Sequence, residues 1–182
     1  MDGRGVVLAL LFTVFGAASA GAACNDPPTP GVDWHLCLKP RASLAGAQLA
    51  DATFKHAKMA GSDFSGADLA GADLSGATMQ NARFQAARLA GANLDAAHLG
   101  GADFTGAVLT GASLDRTNLP GATFTDADLR DTNLSGAYLV GADLQGARLD
   151  DARLDGAVMT RVRWTDGRIC AAGSVGRCLG EE

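Results

Sequence analysis

The sequence predicts an all-β fold, a narrow solenoid in which the chain winds into a four-sided helix with about six coils. Three observations predict it. A large apolar residue returns at every fifth position from Leu44 to Trp164, without an insertion or a deletion. Ala stands two residues before most of these apolar residues, and Gly, Asn or Asp stands two residues after most of them. Phenylalanine recurs 20 residues apart in one phase of this repeat, at Phe64, Phe84, Phe104 and Phe124.

The period of five excludes both common secondary structures. On an α-helix, five residues advance roughly 140° beyond a full turn, so the apolar side chains would not form a stripe. On a flat strand, an odd period would place successive apolar side chains on opposite faces. The chain therefore has to turn a corner within each five-residue unit. Gly, Asn and Asp suit that corner because they tolerate positive φ or bond to their own backbone.

The spacing of identical side chains predicts how many units close one coil. Because like side chains stack best directly above one another, the four Phe residues form a predicted core ladder with a step of 20 residues. Met59, Met79 and Met159 share a second phase of the same step, and only Phe54 departs from it. Four units therefore make one coil. The large apolar residue of each unit, called its centre below, and the preceding Ala point inward, and the other three residues face water.

The repeated motif resembles that of a known family. It reads A-(D/N)-(L/F)-x-G, as in Ala67–Gly71 and Ala72–Gly76, and is similar to the motif of pentapeptide-repeat proteins. The resemblance covers about two thirds of the chain. It implies a right-handed quadrilateral β-helix, a handedness that the spacing does not supply, and it implies little about activity. The best-known activity in the family is imitation of DNA by an acidic rod that binds DNA gyrase.

The segment before the repeats is typical of an exported protein. Val6–Phe15 is an apolar run with Thr13 as its one polar residue, too short for a comfortable membrane span, and Ala18–Ala20 fits an A-x-A cleavage site. We therefore expect a periplasmic or extracellular protein without a membrane span in its mature form. Lipid attachment at Cys24 is the alternative, although Gly21 stands where an aliphatic residue is expected. The predicted segments are a signal peptide at 1–20, an N-terminal cap at 21–41, the β-helix at 42–169, and a C-terminal cap and tail at 170–182.

The four cysteines lie in pairs outside the complete repeats. A rod of about 30 Å separates the two ends of the solenoid, whereas disulfide Cα atoms lie about 4.4–6.8 Å apart. We therefore predict disulfides between Cys24 and Cys37 and between Cys170 and Cys178. Zinc is a weaker alternative because neither spacing is Cys-x2-Cys, so no metal or cofactor is expected. The end segments Cys24–Arg41 and Trp164–Cys178, each with one Trp, are expected to act as lids over the open ends of the solenoid.

The outer faces follow from the 20-residue step. Three faces carry interspersed charges of both signs, which favours solvation and pairing between coils. The fourth face is nearly uncharged and carries an apolar patch on adjacent coils. Such a patch can mark a partner or self-association surface, although ordinary surface variation is the more common origin. The residues predicted for this interaction face are His98, Pro120, Tyr138, Val140 and Val158.

Composition and placement exclude several function classes. His35, His56 and His98 are scattered without a nucleophile beside them, and a filled rod offers no pocket, so no enzyme and no catalytic residue is predicted. No face is basic enough for nucleic acid. The predicted β-helix has 15 Asp against 11 Lys and Arg, but their interspersed signs do not resemble duplex DNA. The sequence therefore favours a non-catalytic exported module that binds an unidentified protein or envelope component, with a DNA-mimicking topoisomerase-binding protein as the alternative.

Overall fold

The structure, a computed structural model, describes residues 23–180, so the predicted signal peptide lies outside it. Its one helix is a 3₁₀ turn at Ala23–Asn25. The β-structure consists of isolated parallel bridges that pair each residue with the one 20 positions later, from Asp33↔Thr53 to Asp143↔Arg163. The chain is therefore a right-handed quadrilateral β-helix with 20 residues per coil, as predicted. Within the described residues, no helix is long and apolar enough to cross a membrane.

Every unit has the same local geometry. The residue two positions after each centre has a positive φ, and this recurs at every fifth position from Gly31 to Arg161. An Asp or Asn before the centre accepts a hydrogen bond from the backbone N–H of the residue after the centre, as Asp63 Oδ1 does from Ser65 at 2.9 Å. The corner therefore explains two residues of the motif. The Asp or Asn side chain accepts from the backbone N–H after the centre, and the Gly tolerates the positive φ.

The centres form a dry column inside the rod. The rings of the predicted Phe ladder are parallel, with centroids 5.0, 4.7 and 4.9 Å apart in order from Phe64 to Phe124. These side chains are fully buried. Phe54 belongs to another column, in which it packs edge-to-face on Trp34, 20 residues earlier. Phe54 therefore departs from the phase of the other Phe residues because it forms an aromatic pair with Trp34 at the N-terminal end of the rod.

Three of the residues that replace the inward Ala are polar, and all three are buried. The Thr117 hydroxyl donates to the Leu94 carbonyl at 2.8 Å, and the Thr132 hydroxyl donates to the Leu109 carbonyl at 3.1 Å. Ser62 likewise donates to a carbonyl of the preceding coil. Each hydroxyl therefore has an acceptor, and a buried polar group with a partner avoids most of its desolvation cost.

The rod begins before the predicted boundary at residue 42. Val32, Trp34 and Cys37 point inward and are buried, and Asp33 and Leu38 form the first parallel bridges. Lys39 takes the position of a centre, and its Nζ lies 4.3 Å from the centroid of the Trp34 ring. Most of the segment that we predicted as an N-terminal cap is thus the first coil itself. Trp34 is a core residue of that coil and not the lid that we expected.

The C-terminal segment reverses direction and covers part of the last coil. The chain turns at Gly167, whose N–H donates to the Trp164 carbonyl, and antiparallel bridges then join Ile169 to Arg163 and Val175 to Val158. The parallel register therefore ends at Arg163, before the predicted boundary at 169. The antiparallel segment covers two of the four sides. On the other two sides, the centres at 149 and 154 are only partly buried.

Both predicted disulfides are present. Cys24 is bonded to Cys37 with a Cα–Cα distance of 5.5 Å, and Cys170 is bonded to Cys178 with a Cα–Cα distance of 5.0 Å. Cys37 occupies the inward position that Ala holds in other units, and Cys170 is fully buried. The N-terminal bridge therefore attaches the end segment to the first coil, whereas the C-terminal bridge closes a loop within the antiparallel segment that covers the last coil.

Candidate functional site

One side of the rod differs from the other three because no carboxylate projects from its two columns of outward side chains. We call it the carboxylate-free face. The first column consists of residues joined by successive β-bridges, and the second follows two positions later in each coil. The first column is Leu38, Lys58, Thr78, His98, Asn118, Tyr138, Val158 and Val175, and the second is Pro40, Ala60, Gln80, Gly100, Pro120, Val140 and Thr160.

The backbone beneath this face is held on both edges of each short strand. The Tyr138 N–H donates to the Thr117 carbonyl at 2.9 Å, and the Val158 N–H donates to the Ala137 carbonyl at 2.9 Å. The inward neighbour Ala137 is fully buried. Side chains of one column are therefore held at the strand spacing of about 4.8 Å.

The structure brings the five predicted interaction residues together on this face. His98, Tyr138 and Val158 lie in the first column, and Pro120 and Val140 lie in the second. Tyr138 is 45% exposed, so its ring is available to a partner although it is part of the ladder.

Two exposed apolar residues of the same column were missed from the sequence. Val175, contributed by the antiparallel segment, extends the column beyond Val158, and Leu38 begins it at the opposite end of the rod. The 20-residue step points back from Lys58 to Leu38, so this residue could have been found from the sequence. Val175 could not, because the chain reverses before it and the repeat no longer predicts its position.

The face with the Phe ladder beneath it neutralises its own charges. Arg163 Nε lies 3.8 Å from Asp143 Oδ2, and the Gln85 amide donates to Asp103 at 2.6 Å. Partial burial of Asp103 disfavours its charged form, but hydrogen bonds from Thr105 and Gln85 outweigh that effect and lower the pKa of Asp103. Its carboxylate therefore already has donors on the protein.

The next face is paired in the same way. Arg130 donates two hydrogen bonds to the two carboxylate oxygens of Asp128, at 2.8 and 2.6 Å. These hydrogen bonds, and the charges of Arg130 and Arg148, lower the pKa of Asp128 despite an opposing effect of burial. On the third face, Arg153 pairs with Asp155 at 3.7 Å. Arginines thus lie among the carboxylates on each of these faces, which interrupts any continuous acidic surface.

The described residues offer no cluster for chemistry. Within residues 23–180, no group of three His, Cys, Asp or Glu side chains could hold a metal ion. His35 hydrogen-bonds Asp33 at 2.8 Å on the first coil, whereas His56 lies at a corner and His98 lies two coils further on. An open, shallow depression lies between Leu149 and Trp164, where the last coil is uncovered.

Known proteins share this repeat. The profile described as pentapeptide repeats matches the chain in 8 copies, over residues 42–85, 87–126 and 124–161. A solved pentapeptide repeat protein from the thylakoid lumen of Arabidopsis thaliana is 34% identical, with a TM-score of 0.53, over 60% of this chain and 81% of that chain. HetL, a pentapeptide repeat protein involved in heterocyst differentiation regulation from the cyanobacterium Nostoc, is 27% identical, with a TM-score of 0.31, over 77% and 92%. QnrB1, a plasmid-mediated fluoroquinolone resistance protein, is 19% identical, with a TM-score of 0.34, over 74% and 80%. No curated protein sequence matches at a significant level.

Proposed function

The chain belongs to the pentapeptide-repeat family, and from this membership we propose that it is a non-catalytic, exported interaction module whose carboxylate-free face binds another protein. The observation that carries the proposal is the apolar end of that face. Tyr138, Val140, Val158 and Val175 lie side by side on successive coils, and Tyr138 and Val175 are 45% and 53% exposed. A contiguous apolar patch of this kind is typical of a binding surface.

The rigidity of the rod supports binding without a conformational change. Each strand of the face from Lys58 to Val158 is hydrogen-bonded to the coil before it and to the coil or the antiparallel segment after it. A partner would therefore not have to order the backbone, and less free energy would be lost to conformational entropy on binding. A tyrosine between two valines offers both apolar area and a hydroxyl, which is a common composition for the centre of an interface.

The cysteines support the proposed compartment. All four form disulfides, and disulfides persist mainly in proteins that are exported from the reducing cytosol. The predicted signal peptide at 1–20 agrees with export to the periplasm or beyond it. Cys24 is disulfide-bonded, which favours cleavage before it over lipid attachment to its sulfur.

The charge pattern weighs against DNA mimicry. A protein that replaces duplex DNA should present regularly spaced, continuous negative charge. Here Asp128 is bonded to Arg130, Asp143 to Arg163 and Asp155 to Arg153. With many carboxylates paired on three faces and none on the fourth, the rod favours a protein-binding role over imitation of a nucleic acid.

Site-specific photocrosslinking in the envelope fraction of the producing cell tests this function. A photoreactive amino acid at position 138 should give a discrete crosslinked protein, whereas the same probe at Arg88, an exposed position on another face, should not. The substitution Tyr138→Asp with Val158→Asp should abolish copurification of that protein, and Arg88→Asp should not. A crosslinked dimer would identify a second copy as the partner. Identical products from positions 138 and 88 would contradict the proposed face.

A further inference from the structure

We propose that the N-terminal end of the rod binds the surface of an anionic phospholipid bilayer. The binding surface, called the lipid patch, lies on the first two coils, about 24 Å from the Tyr138 end of the same face at five coil steps. It is independent of the protein-binding function proposed above. The lipid patch consists of Leu36, Leu38, Arg41, Lys55, His56 and Lys58.

These residues are neighbours because the coils bring them together. Leu38 and Lys58 are joined by a β-bridge on the carboxylate-free face. Leu36 and His56 occupy the same corner of successive coils, both with positive φ. Arg41 takes the opposite corner, where its side chain lies beside Gly61. Residues 20 apart are thus adjacent, and the patch spans the face, both of its corners and Lys55 beside the His56 corner on the adjoining face.

The cations of the lipid patch are unpaired, unlike most arginines further along the rod. Among residues 23–180, no carboxylate oxygen lies within 4.0 Å of the charged nitrogens of Arg41, Lys55 or Lys58. All three lysines of the chain lie on the first two coils. The acidic side chain of the first coil, Asp33, shares the adjoining face with Lys55 and is hydrogen-bonded to His35. The charges of the patch are therefore available to an external anion.

The same surface exposes the two most accessible large apolar side chains of the described chain. Leu36 is 67% exposed and Leu38 is 71% exposed. Leu36 also adopts φ 58°, a backbone conformation that costs free energy for a residue with a side chain and that Gly adopts at most corners of this rod. Two solvent-exposed leucines, one of them at a strained corner, indicate a surface that is buried against a binding partner.

The combination of leucines and unpaired cations fits a bilayer better than other anionic partners. The lysines and the arginine would bind lipid phosphates, and the leucines would insert at the boundary between the headgroups and the acyl chains. A nucleic acid would bind the cations and leave Leu36 and Leu38 in water. Near an anionic leaflet each Lys or Arg strengthens binding about fivefold, so three of them give a reversible attachment that two inserted leucines reinforce.

Vesicle flotation tests the proposal. Protein recovered from the periplasm of an expressing bacterium is mixed with vesicles of phosphatidylethanolamine and phosphatidylglycerol, or of phosphatidylcholine alone. We expect flotation with the anionic vesicles only, and we expect it to weaken as salt is raised. Lys55→Glu with Lys58→Glu should reduce the partition coefficient at least thirtyfold, because two favourable charges become unfavourable.

Matched variants separate the patch from general effects of charge and exposure. Arg88→Glu with Arg116→Glu makes the same change in net charge at exposed positions away from the patch and should leave flotation nearly unchanged. Leu36→Asn with Leu38→Thr should lower the partition coefficient at least tenfold, and it preserves folding because Asn tolerates the Leu36 corner. Circular dichroism and urea unfolding verify that each variant is folded.

Several results would overturn the proposal. All variants share one N-terminus, so equal flotation by wild type and both patch variants would assign binding to residues before Ala23. Absence of flotation with anionic vesicles would also refute it. Binding to heparin or duplex DNA that matches vesicle binding in strength, and that is insensitive to the leucine substitutions, would assign the patch to a soluble polyanion. Vesicle flotation does not depend on the Tyr138 crosslink, so the lipid proposal and the protein-binding proposal can be refuted separately.

Discussion

At the level of single residues, the main backbone constraint is the corner that ends each five-residue unit, where the residue adopts a positive φ. Gly occupies most of these positions, but Leu36, Ala86 and Arg116 adopt the same positive φ. For a residue with a Cβ, this left-handed backbone conformation costs about 1–2 kcal/mol of free energy. The rod therefore contains several corners whose side chains lower its stability.

We predict that Ala86→Gly raises the free energy of unfolding by about 0.5–1 kcal/mol, because relief of the positive φ exceeds the added entropy of the unfolded chain. Ala90→Gly is the matched control, since Ala90 has no positive φ and the change should destabilise. Urea unfolding of the two variants measures the difference. Destabilisation of similar size in both would show that the corner is not strained.

A second prediction concerns the Phe ladder. Phe84→Ala should lower the free energy of unfolding by about 3–5 kcal/mol, because Phe84 is stacked between Phe64 and Phe104 and its removal leaves a cavity. Asp95→Asn is the surface control. Its remaining amide oxygen can still accept from Ser113 and from the Asp115 N–H, so its cost should stay within about 0.5 kcal/mol. Comparable losses in urea unfolding would contradict a buried stack.

The coil is the structural element of this molecule, and its ends differ from its middle. Each inner coil bonds to one coil on either side, whereas the last coil is covered on only two sides by the antiparallel segment. The stability of the terminal coils therefore depends on the disulfides and the end segments. The stability of the inner coils depends on keeping the five-residue register.

Register can be tested by insertion. One extra Ala after Gly101 would move every following centre out of the core, whereas a copied five-residue unit would preserve the inward phase and rotate the faces by one side. We expect the single insertion to cost more stability than the five-residue insertion, as measured by the urea midpoint. Equal tolerance would contradict a fixed five-residue register.

The C-terminal disulfide should act locally. Cys170→Ala with Cys178→Ser should cost about 2–3 kcal/mol, the loop-closure value for the observed separation of 8 residues. Hydrogen exchange should accelerate at Met159 and Arg161, whose N–H groups donate to carbonyls of the antiparallel segment, and not at Met79 inside the rod. Uniform acceleration along the chain would indicate that the segment does not unfold separately.

For the molecule as a whole, charge pairing between and within coils links stability to pH. The pKa values of Asp33, Asp63, Asp103 and Asp128 lie below the ordinary value of 3.8, with hydrogen bonds to the carboxylates as the lowering cause in each. A depressed carboxyl pKa contributes stability above its unfolded value, and this contribution is lost as pH falls through the folded value.

We therefore expect the free energy of unfolding to be constant near neutral pH and to decline below about pH 4. Asp103→Asn with Asp128→Asn should flatten that decline, since two of the linked groups are removed. Urea unfolding between about pH 7 and pH 2 measures both curves. An unchanged acid slope in the double variant would assign the decline to other carboxyls.

The five-residue period and the 20-residue spacing of Phe made most of the fold predictable, because they require a corner in every unit and four units in each coil. It did not locate the first coil, because Lys39 stands where an apolar centre was expected. At the end of the rod that position is partly open, so a lysine reaches solvent across the Trp34 ring. The reversal after Trp164 carries no periodic signal, so the covering of Val158 by Val175 could be read only from the structure.

The candidate face was predictable in part for the same reason. The 20-residue step placed Tyr138 and Val158 on adjacent coils, and the bridges agree. The lipid patch was missed because its two leucines lie in the segment that we predicted as a cap. Which charges lack partners also depends on side-chain distances, and these do not follow from spacing alone.

The disulfides lie at the two ends of the rod, and neither connects one coil to another across the middle. A pulling force applied between the ends would therefore meet no covalent stop within the repeats. Each coil of 20 residues could peel away in turn and release about 65 Å of extended chain. Under such a force, the rod would therefore lengthen in steps of one coil.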